Sequence, residues 1–185
     1  MTTTVDRPAA IRRALRDLVA ERGFHGASMG AVAKEAGVAA GTAYVHYESK
    51  EELVYATYLE IKRALSEDVL PHVDLEAVPK ERFVRLWTGI YHHCRAEPTR
   101  AGFLAQLEAS PFSGEASKRL EESGDRLLEE ATRPDLVELL VDLPMDVIAT
   151  LTLGVAVRLV ASGIELSADQ LETVAEACWR AVTVD

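Results

Sequence analysis

Apolar residues recur at intervals of three and four along nearly the whole chain, the spacing that places them on one face of an α-helix. No stretch alternates between apolar and polar residues for long enough to predict a β-strand. Only 7 prolines and 11 glycines interrupt the 185 residues, which favours long helices with short connections. The sequence therefore predicts an all-α fold of nine helices, or ten if residues 135–141 form a separate turn. Residues 114–132 and 144–162 are each expected to be one helix.

Two short helical segments, 29–36 and 40–47, are joined by the tight link Gly37-Val38-Ala39. This arrangement is typical of a helix-turn-helix, whose second helix lies in the major groove of DNA while the first braces it. Ser28 is a good N-cap for the first segment, because its hydroxyl can accept a free backbone N–H. We therefore interpret residues 28–47 as a DNA-reading motif.

The second segment begins with small residues, which allows its N-terminal end to approach base edges and phosphates closely. Tyr44 and His46 add polar tips, and Lys50 begins the next helix, where a cation and a helix N-terminus together attract phosphate. The candidate DNA-binding residues are Ser28, Ala39, Ala40, Gly41, Thr42, Tyr44, His46 and Lys50.

From about Ile11 to Leu53 the sequence resembles the N-terminal domain of the tetracycline-repressor-like (TetR) transcriptional regulators. The residues that carry the resemblance are Gly23-Phe24, Ser28, Ala33, Ala36-Gly37-Val38, Gly41-Thr42, Tyr44, His46-Tyr47, Ser49-Lys50 and Leu53. The resemblance implies backbone contacts by Tyr44, His46 and Lys50. It also implies a phosphate contact by Ser28 and base-facing positions around Thr42.

Two positions depart from this family pattern. Ala39 stands where serine or threonine is frequent, so a cap of about 1 kcal/mol is absent from the second motif helix. Tyr47 stands where phenylalanine is usual. With Ala40, Gly41 and Val45 on the outer side, we expect modest direct readout, with thymine-methyl contacts and DNA shape carrying more of the specificity.

The resemblance also implies a DNA-binding head over residues 1–49 and a larger helical ligand-binding and dimerisation domain over residues 50–185. Residues 144–160 are apolar all around the helix and must be covered on every side, by the chain's own core or by a partner. Residues 171–182 form one wide apolar stripe, for which ordinary core packing is the alternative to a dimer contact. The candidate dimer-interface residues are Ile148, Leu151, Val155, Leu159, Leu171, Val174, Cys178 and Trp179.

Candidate residues for a small-molecule pocket are the aromatic side chains Trp87, Tyr91, Phe103 and Phe112, with plain core packing as the alternative. No metal or other cofactor is expected. His92, His93 and Cys94 are consecutive, whereas a helical metal pair needs a spacing of four. The two cysteines, Cys94 and Cys178, predict buried thiols rather than a disulfide framework.

The net charge of −10 is divided unevenly, with a balance of +2 over residues 1–50 and −12 over residues 51–185. A mildly basic head can bind phosphate locally while an acidic body limits nonspecific binding. No secretory signal and no bilayer-spanning segment is visible, so a cytoplasmic protein without a membrane partner is expected.

These features lead to one functional interpretation, a ligand-responsive transcriptional repressor. It is expected to bind a palindromic double-stranded DNA operator as a homodimer and to be released by a small-molecule effector. An activator or an architectural DNA-binding protein stays open as an alternative. An enzyme in a helical body is the other alternative, but the sequence lacks a GxSxG elbow, a phosphate loop and an HExxH pair, so we predict no enzyme.

Overall fold

The computed structural model describes residues 6–184. Over this range the chain folds into twelve α-helices and one 3₁₀ turn (Leu70–His72), without a β-strand, which confirms the all-α prediction. The helices are α1 (Arg7–Gly26), α2 (Met29–Glu35), α3 (Ala40–His46), α4 (Lys50–Val69), α5 (Pro79–Ala96), α6 (Pro98–Glu108), α7 (Ser113–Glu122), α8 (Arg126–Ala131), α9 (Pro134–Val137), α10 (Met145–Leu151), α11 (Leu153–Ala161) and α12 (Ala168–Val182). No helix in this range is both long and apolar enough to cross a membrane.

Helices α1 to α3 and the start of α4 form the N-terminal head. Side-chain oxygens cap three of these helices: Asp6 accepts from Ala9 N, Ser28 from Ala31 N and Ser49 from Glu52 N, at 3.1–3.2 Å. Such caps satisfy backbone donors that a helix leaves free at its first turn. The fully buried core of the head contains Ile11, Leu15, Val19, Val32, Ala43 and Leu53.

An arginine clamp joins α1 to the end of α3 and to α4. Arg12 donates to both oxygens of Glu60 from Nε and Nη2, each at 2.8 Å, and its Nη1 donates to the Tyr47 hydroxyl at 2.6 Å. The Tyr47 hydroxyl in turn donates to the Pro8 carbonyl at 3.3 Å. Burial raises the pKa of the Tyr47 phenol, although Arg12 opposes that shift. The hydroxyl at position 47 thus has a structural partner on α1.

Helix α5 runs through the centre of the body and packs against α4, α6, α11 and α12. Its Trp87 and Tyr91 rings lie nearly parallel, with centroids 6.3 Å apart, and both are buried. Arg82 is also buried, and its guanidinium donates to Asp135 at 2.8 Å. A buried charge is tolerated when it is paired in this way.

Two long helices predicted from the sequence are each broken in the structure. The expected helix over residues 144–162 breaks at Thr152 (φ −115°, ψ −85°), whose carbonyl accepts the indole N–H of Trp87 at 2.9 Å. The expected helix over residues 114–132 breaks at Gly124 (φ +67°), and Asp125 then caps α8. Helix α1 is kinked at Gly23, which has the left-handed φ of +67°, and a further turn reaches Gly26. The structure consequently has twelve helices in residues 6–184 rather than nine or ten.

Candidate DNA-binding surface and ligand cleft

Helices α2 and α3 are held together by a turn in which Gly37 adopts φ +67°, a conformation that favours glycine. After this turn the Val38 amide donates to the Ala33 carbonyl at 2.9 Å, and the Val38 side chain packs on the head core. Ala43 is fully buried on the inner face of α3. The turn and this inner contact fix the orientation of α3 in the head.

The outer face of α3 is open to solvent. Tyr44 is 54% exposed and Val45 81% exposed, and His46 follows them on the exposed side. At the start of the helix Ala39, Ala40 and Gly41 are exposed and Thr42 is half-buried. Ala39 makes no side-chain capping bond. A short helix with one small buried residue and an exposed polar face has the shape that a recognition helix needs.

Ser28 and Lys50, the other two candidate DNA-binding residues, both have structural roles. The exposed Ser28 caps α2, which leaves its hydroxyl hydrogen free to be donated. The Lys50 ammonium donates to the Phe24 carbonyl and lies 6.0 Å from the centre of the Phe24 ring. Burial lowers the pKa of Lys50, against an opposing effect of Glu51. An ammonium carries three donors, so a phosphate contact by Lys50 stays a prediction.

Two family models match the chain, and together they cover most of it. Residues 11–57 match "Bacterial regulatory proteins, tetR family", and residues 79–183 match "Tetracyclin repressor-like, C-terminal domain". The chain belongs to the TetR family of transcriptional regulators. Family members are regulators and not enzymes, which excludes the helical-enzyme alternative.

Relatives of this TetR-family chain extend over nearly its full length. An uncharacterized HTH-type transcriptional regulator of Haemophilus influenzae is 28% identical over 170 residues, 89% of each chain. A TetR-family regulator structure from the same species superposes with a TM-score of 0.73 at 27% identity, covering 100% of both chains. A TetR-family structure from Marinobacter aquaeolei VT8 gives a TM-score of 0.79 at 23% identity, covering 97% of this chain and 96% of that one.

The head of this TetR-family regulator contacts its body through α6 and α7. Gly102 of α6 lies so close to α1 that an added Cβ would be 2.8 Å from Ala20 Cβ. Next to it, the rings of Phe103 and Phe24 meet edge to face at 5.9 Å between centroids. Two helices can approach this closely only where one of them lacks a side chain.

A second connection from the body reaches the beginning of α4. Arg119 of α7 donates to both oxygens of Glu52 at 2.8 and 2.9 Å, and its guanidinium lies 4.2 Å from the centre of the Tyr55 ring. Arg119 lowers the pKa of Glu52 through these hydrogen bonds. A bidentate pair of this kind fixes both distance and orientation. Glu52 lies only two residues after Lys50, so α7 is tied to the head–body junction.

The four aromatic side chains proposed for a ligand pocket do not line one common cavity. Trp87 borders a small apolar cavity of about 110 Å³ between α5, α8, α10 and α12. Tyr91 is stacked beside Trp87 and donates to the Ile164 carbonyl at 3.4 Å. Phe103 and Phe112 instead pack on Phe24 in the core next to the head. Phe103 and Phe112 therefore pack in the core and do not line a pocket, as the alternative interpretation expected.

A wider cleft of about 730 Å³ opens between α4, α6, α7, α10 and α11, and sequence reasoning did not find it. Tyr58 and Lys62 of α4 line it, together with the apolar side chains of Leu104, Leu107, Leu153 and Val157. One signal was present in the sequence. Lys62 stands four residues after Tyr58 and three before Leu65, so it interrupts the apolar side of α4.

The candidate dimer residues divide into two groups by burial. Ile148, Leu171 and Cys178 are buried by the chain's own packing, so they cannot form the outer face of an interface. The residues that remain at least partly accessible are Leu151, Val155, Leu159, Val174 and Trp179. The apolar side chains of Leu143, Met145 and Val147, which were not among the candidates, are 41–45% exposed near or on α10.

Both cysteines are buried, and burial raises the pKa of the Cys94 thiol to about 11. A thiol that stays protonated is a poor redox sensor.

His93 lies against Asp68 at 2.8 Å on Nδ1 and receives a hydrogen bond from Arg100 at 2.9 Å on Nε2. Over residues 6–184, no group of three or more His, Cys, Asp or Glu side chains is arranged to hold a metal ion.

Proposed function

We propose that this regulator is a ligand-responsive repressor that binds a palindromic operator as a homodimer and leaves it when a small molecule binds the body. The observation that carries the proposal is the pairing of an exposed α3 face with an open cleft in the body. The polar residues of α3 face solvent, and the 730 Å³ cleft adjoins helices that also hold the head. Because its operator is DNA, we propose that this repressor acts in the cytoplasm.

Two of the helices that border the cleft also contact the head. Helix α4 lines the cleft at Tyr58 and Lys62 and begins at Lys50, directly after the motif. Helix α6 lines the cleft at Leu104 and packs on α1 through Gly102. A ligand that separates α4 from α6 would therefore tilt the head relative to the body.

Such a tilt acts on DNA through the spacing of two heads. Half-sites of a twofold operator lie about 34–36 Å apart, one turn of DNA, and both recognition helices must meet them together. We propose that the accessible apolar residues of α10 to α12, among them Leu151, Val155 and Trp179, form the dimer contact. To move the heads from 99% DNA-competent to 1%, the ligand must favour the released form by about 5.5 kcal/mol.

The first experiment is a fluorescence-anisotropy titration of the purified regulator with its native upstream DNA over a series of salt concentrations. Lys50→Ala should weaken binding to all sequences about equally and lower the slope of log K against log salt by about 1. Lys80→Ala, in the first turn of α5 in the body, is the matched control because it removes the same charge. Lys50→Ala also loses the bond to Phe24, so its folding is checked by circular dichroism at the assay temperature.

The salt titration and a reporter assay test different parts of the proposal. A smaller salt slope in Lys50→Ala but not in Lys80→Ala supports phosphate contact by the head. Equal slopes in all three proteins would exclude Lys50 from the DNA interface. For the repressor role, a reporter transcribed from the native promoter should rise when the regulator gene is deleted, whereas a fall would favour the activator alternative.

A further inference from the structure

The cleft between α4, α6, α7, α10 and α11 carries two donors that have no protein acceptor. Lys62 lines the cleft, and within residues 6–184 neither a hydrogen bond nor an ion pair uses its ammonium. Tyr58 lies one helical turn before it on the same side of α4, and its hydroxyl is likewise without a hydrogen bond in that range. Residues four apart on a helix are neighbours, so both donors face the same space.

Burial shifts the pKa of both groups. It lowers the pKa of Lys62, because the charged form is poorly solvated there, while Asp125 and Cys94 oppose that shift. It raises the pKa of Tyr58 to about 12, so the phenol keeps its proton at neutral pH. A partly buried ammonium that makes no hydrogen bond or ion pair is costly for the fold, and an anion entering the cleft would relieve that cost.

The charge of Asp125 favours the ammonium of Lys62, but within residues 6–184 the two groups form no hydrogen bond or ion pair. The Asp125 oxygens instead accept from the Ser66 hydroxyl at 2.8 Å and from the Leu128 amide at 2.9 Å. The carboxylates that line the cleft, those of Glu108, Glu121 and Asp146, belong to exposed residues, and so does the ammonium of Lys118. Water screens the charges of these exposed groups, whereas Lys62 is half-buried.

We propose that this cleft binds a small organic anion, a carboxylate or sulfonate on an apolar body, with its charged group on Lys62 and Tyr58. The apolar body would lie against Leu104, Leu107, Leu153 and Val157, which border the same space. A ligand site of this design, mostly apolar with a few converging polar groups, is the usual one for small molecules. The inference rests on the proposed function in one respect, that the bound anion is the effector that releases DNA.

The test uses three probes that share one ring system and differ in charge: 2-naphthoate, 2-naphthylmethanol and 2-naphthylmethylammonium. Binding to the full-length protein is measured by isothermal titration calorimetry without DNA. The wild type should bind the naphthoate most tightly. Lys62→Met should weaken naphthoate binding by about thirtyfold or more, the usual loss when one partner of a buried charge pair is truncated. It should leave the alcohol unchanged.

Lys118→Met is the matched control, since Lys118 borders the same cleft but is exposed and lies 3.9 Å from Glu122. It should leave naphthoate binding unchanged. Tyr58→Phe should cause a smaller loss than Lys62→Met. The proposal is overturned if the wild type prefers the ammonium or the alcohol, if it binds none of the three, or if Lys62→Met binds naphthoate like the wild type.

A parallel anisotropy titration with DNA separates the two proposals. If naphthoate binds through Lys62 but leaves DNA affinity unchanged, the anion site stands and its role as the DNA switch fails. If DNA is released by a ligand whose affinity is the same for Lys62→Met as for the wild type, the switch stands and the anion site fails.

Discussion

Replacing Tyr47 with phenylalanine removes one oxygen atom from the junction of α1, α3 and α4. That hydroxyl accepts a hydrogen bond from Arg12 at 2.6 Å and donates one to the Pro8 carbonyl at 3.3 Å. A hydrogen bond to a charged group is worth about 1.5–3 kcal/mol. Arg12 keeps its two bonds to Glu60 in the variant, so the loss should fall at the lower end, about 1.5 kcal/mol.

For a chain of this length, 1 kcal/mol corresponds to about 2–4 °C in Tm. We therefore expect Tyr47→Phe to lower Tm by about 3–6 °C in a thermal melt followed by circular dichroism, with the urea midpoint reduced in parallel. Tyr44→Phe is the matched control, because the Tyr44 ring is 54% exposed and surface changes usually stay within about 0.5 kcal/mol. A Tyr47→Phe melt that coincides with the wild type would refute the clamp.

The same pair of variants separates stability from DNA binding. Tyr44→Phe should lower operator affinity without relaxing sequence preference, while leaving Tm unchanged. Alkaline unfolding adds a second measure: because the pKa of Tyr47 is raised above 10.0, its contribution to stability is present below pH 10.0 and lost as the pH rises further. Tyr47→Phe should show less of this alkaline loss, and equal losses in both proteins would contradict the assignment.

Three further predictions follow from the body and its contacts with the head. Lys62→Met should raise the free energy of unfolding at neutral pH by about 1 kcal/mol. The lowered pKa of Lys62 makes the wild type more stable as the pH rises towards 10.5, and the variant should lack this rise. A less stable variant would contradict the unpartnered ammonium. Gly102→Val should lower the free energy of unfolding by about 1–3 kcal/mol, because the added side chain forces α6 away from Ala20. Gly114→Ala should not lower it, because there is open space around the added Cβ. Chemical denaturation compares the two variants. Arg119 lowers the pKa of Glu52, so their pairing stabilises the fold above about pH 4.5 and is lost as the pH falls further. Arg119→Met should therefore lose less stability in acid than the wild type. An unchanged acid titration would show that this pair contributes nothing.

The local rules of helix formation account for what was predicted correctly in the head. The Ser28 cap, the tight turn at Gly37 and the missing side-chain cap at Ala39 all depend on residues within a few positions of each other. Interactions of that range are encoded directly in the sequence. The helical class of the whole chain follows in the same way from the spacing of its apolar residues.

Prediction failed where a distant residue decides the local structure. The break at Thr152 involves its carbonyl, which pairs with Trp87 some 65 positions away along the chain. Likewise, Phe103 and Phe112 have the composition of a ligand pocket, but Phe24 fills the space beside them. Periodicity cannot distinguish an aromatic side chain that packs on another from one that borders a cavity.

The sequence by itself determined that this protein is helical, where its short motif helices begin and end, and which residues of the second motif helix stay outside. Those properties arise from backbone capping, glycine conformation and amphipathic spacing, all of which act over one or two helical turns. Only the tertiary structure decided that α6, α7, α10 and α11 form a cleft with Tyr58 and Lys62 of α4, and that Tyr47 closes a clamp with Arg12. These arrangements bring together side chains from helices far apart in the chain, and their geometry exists only once those helices have packed.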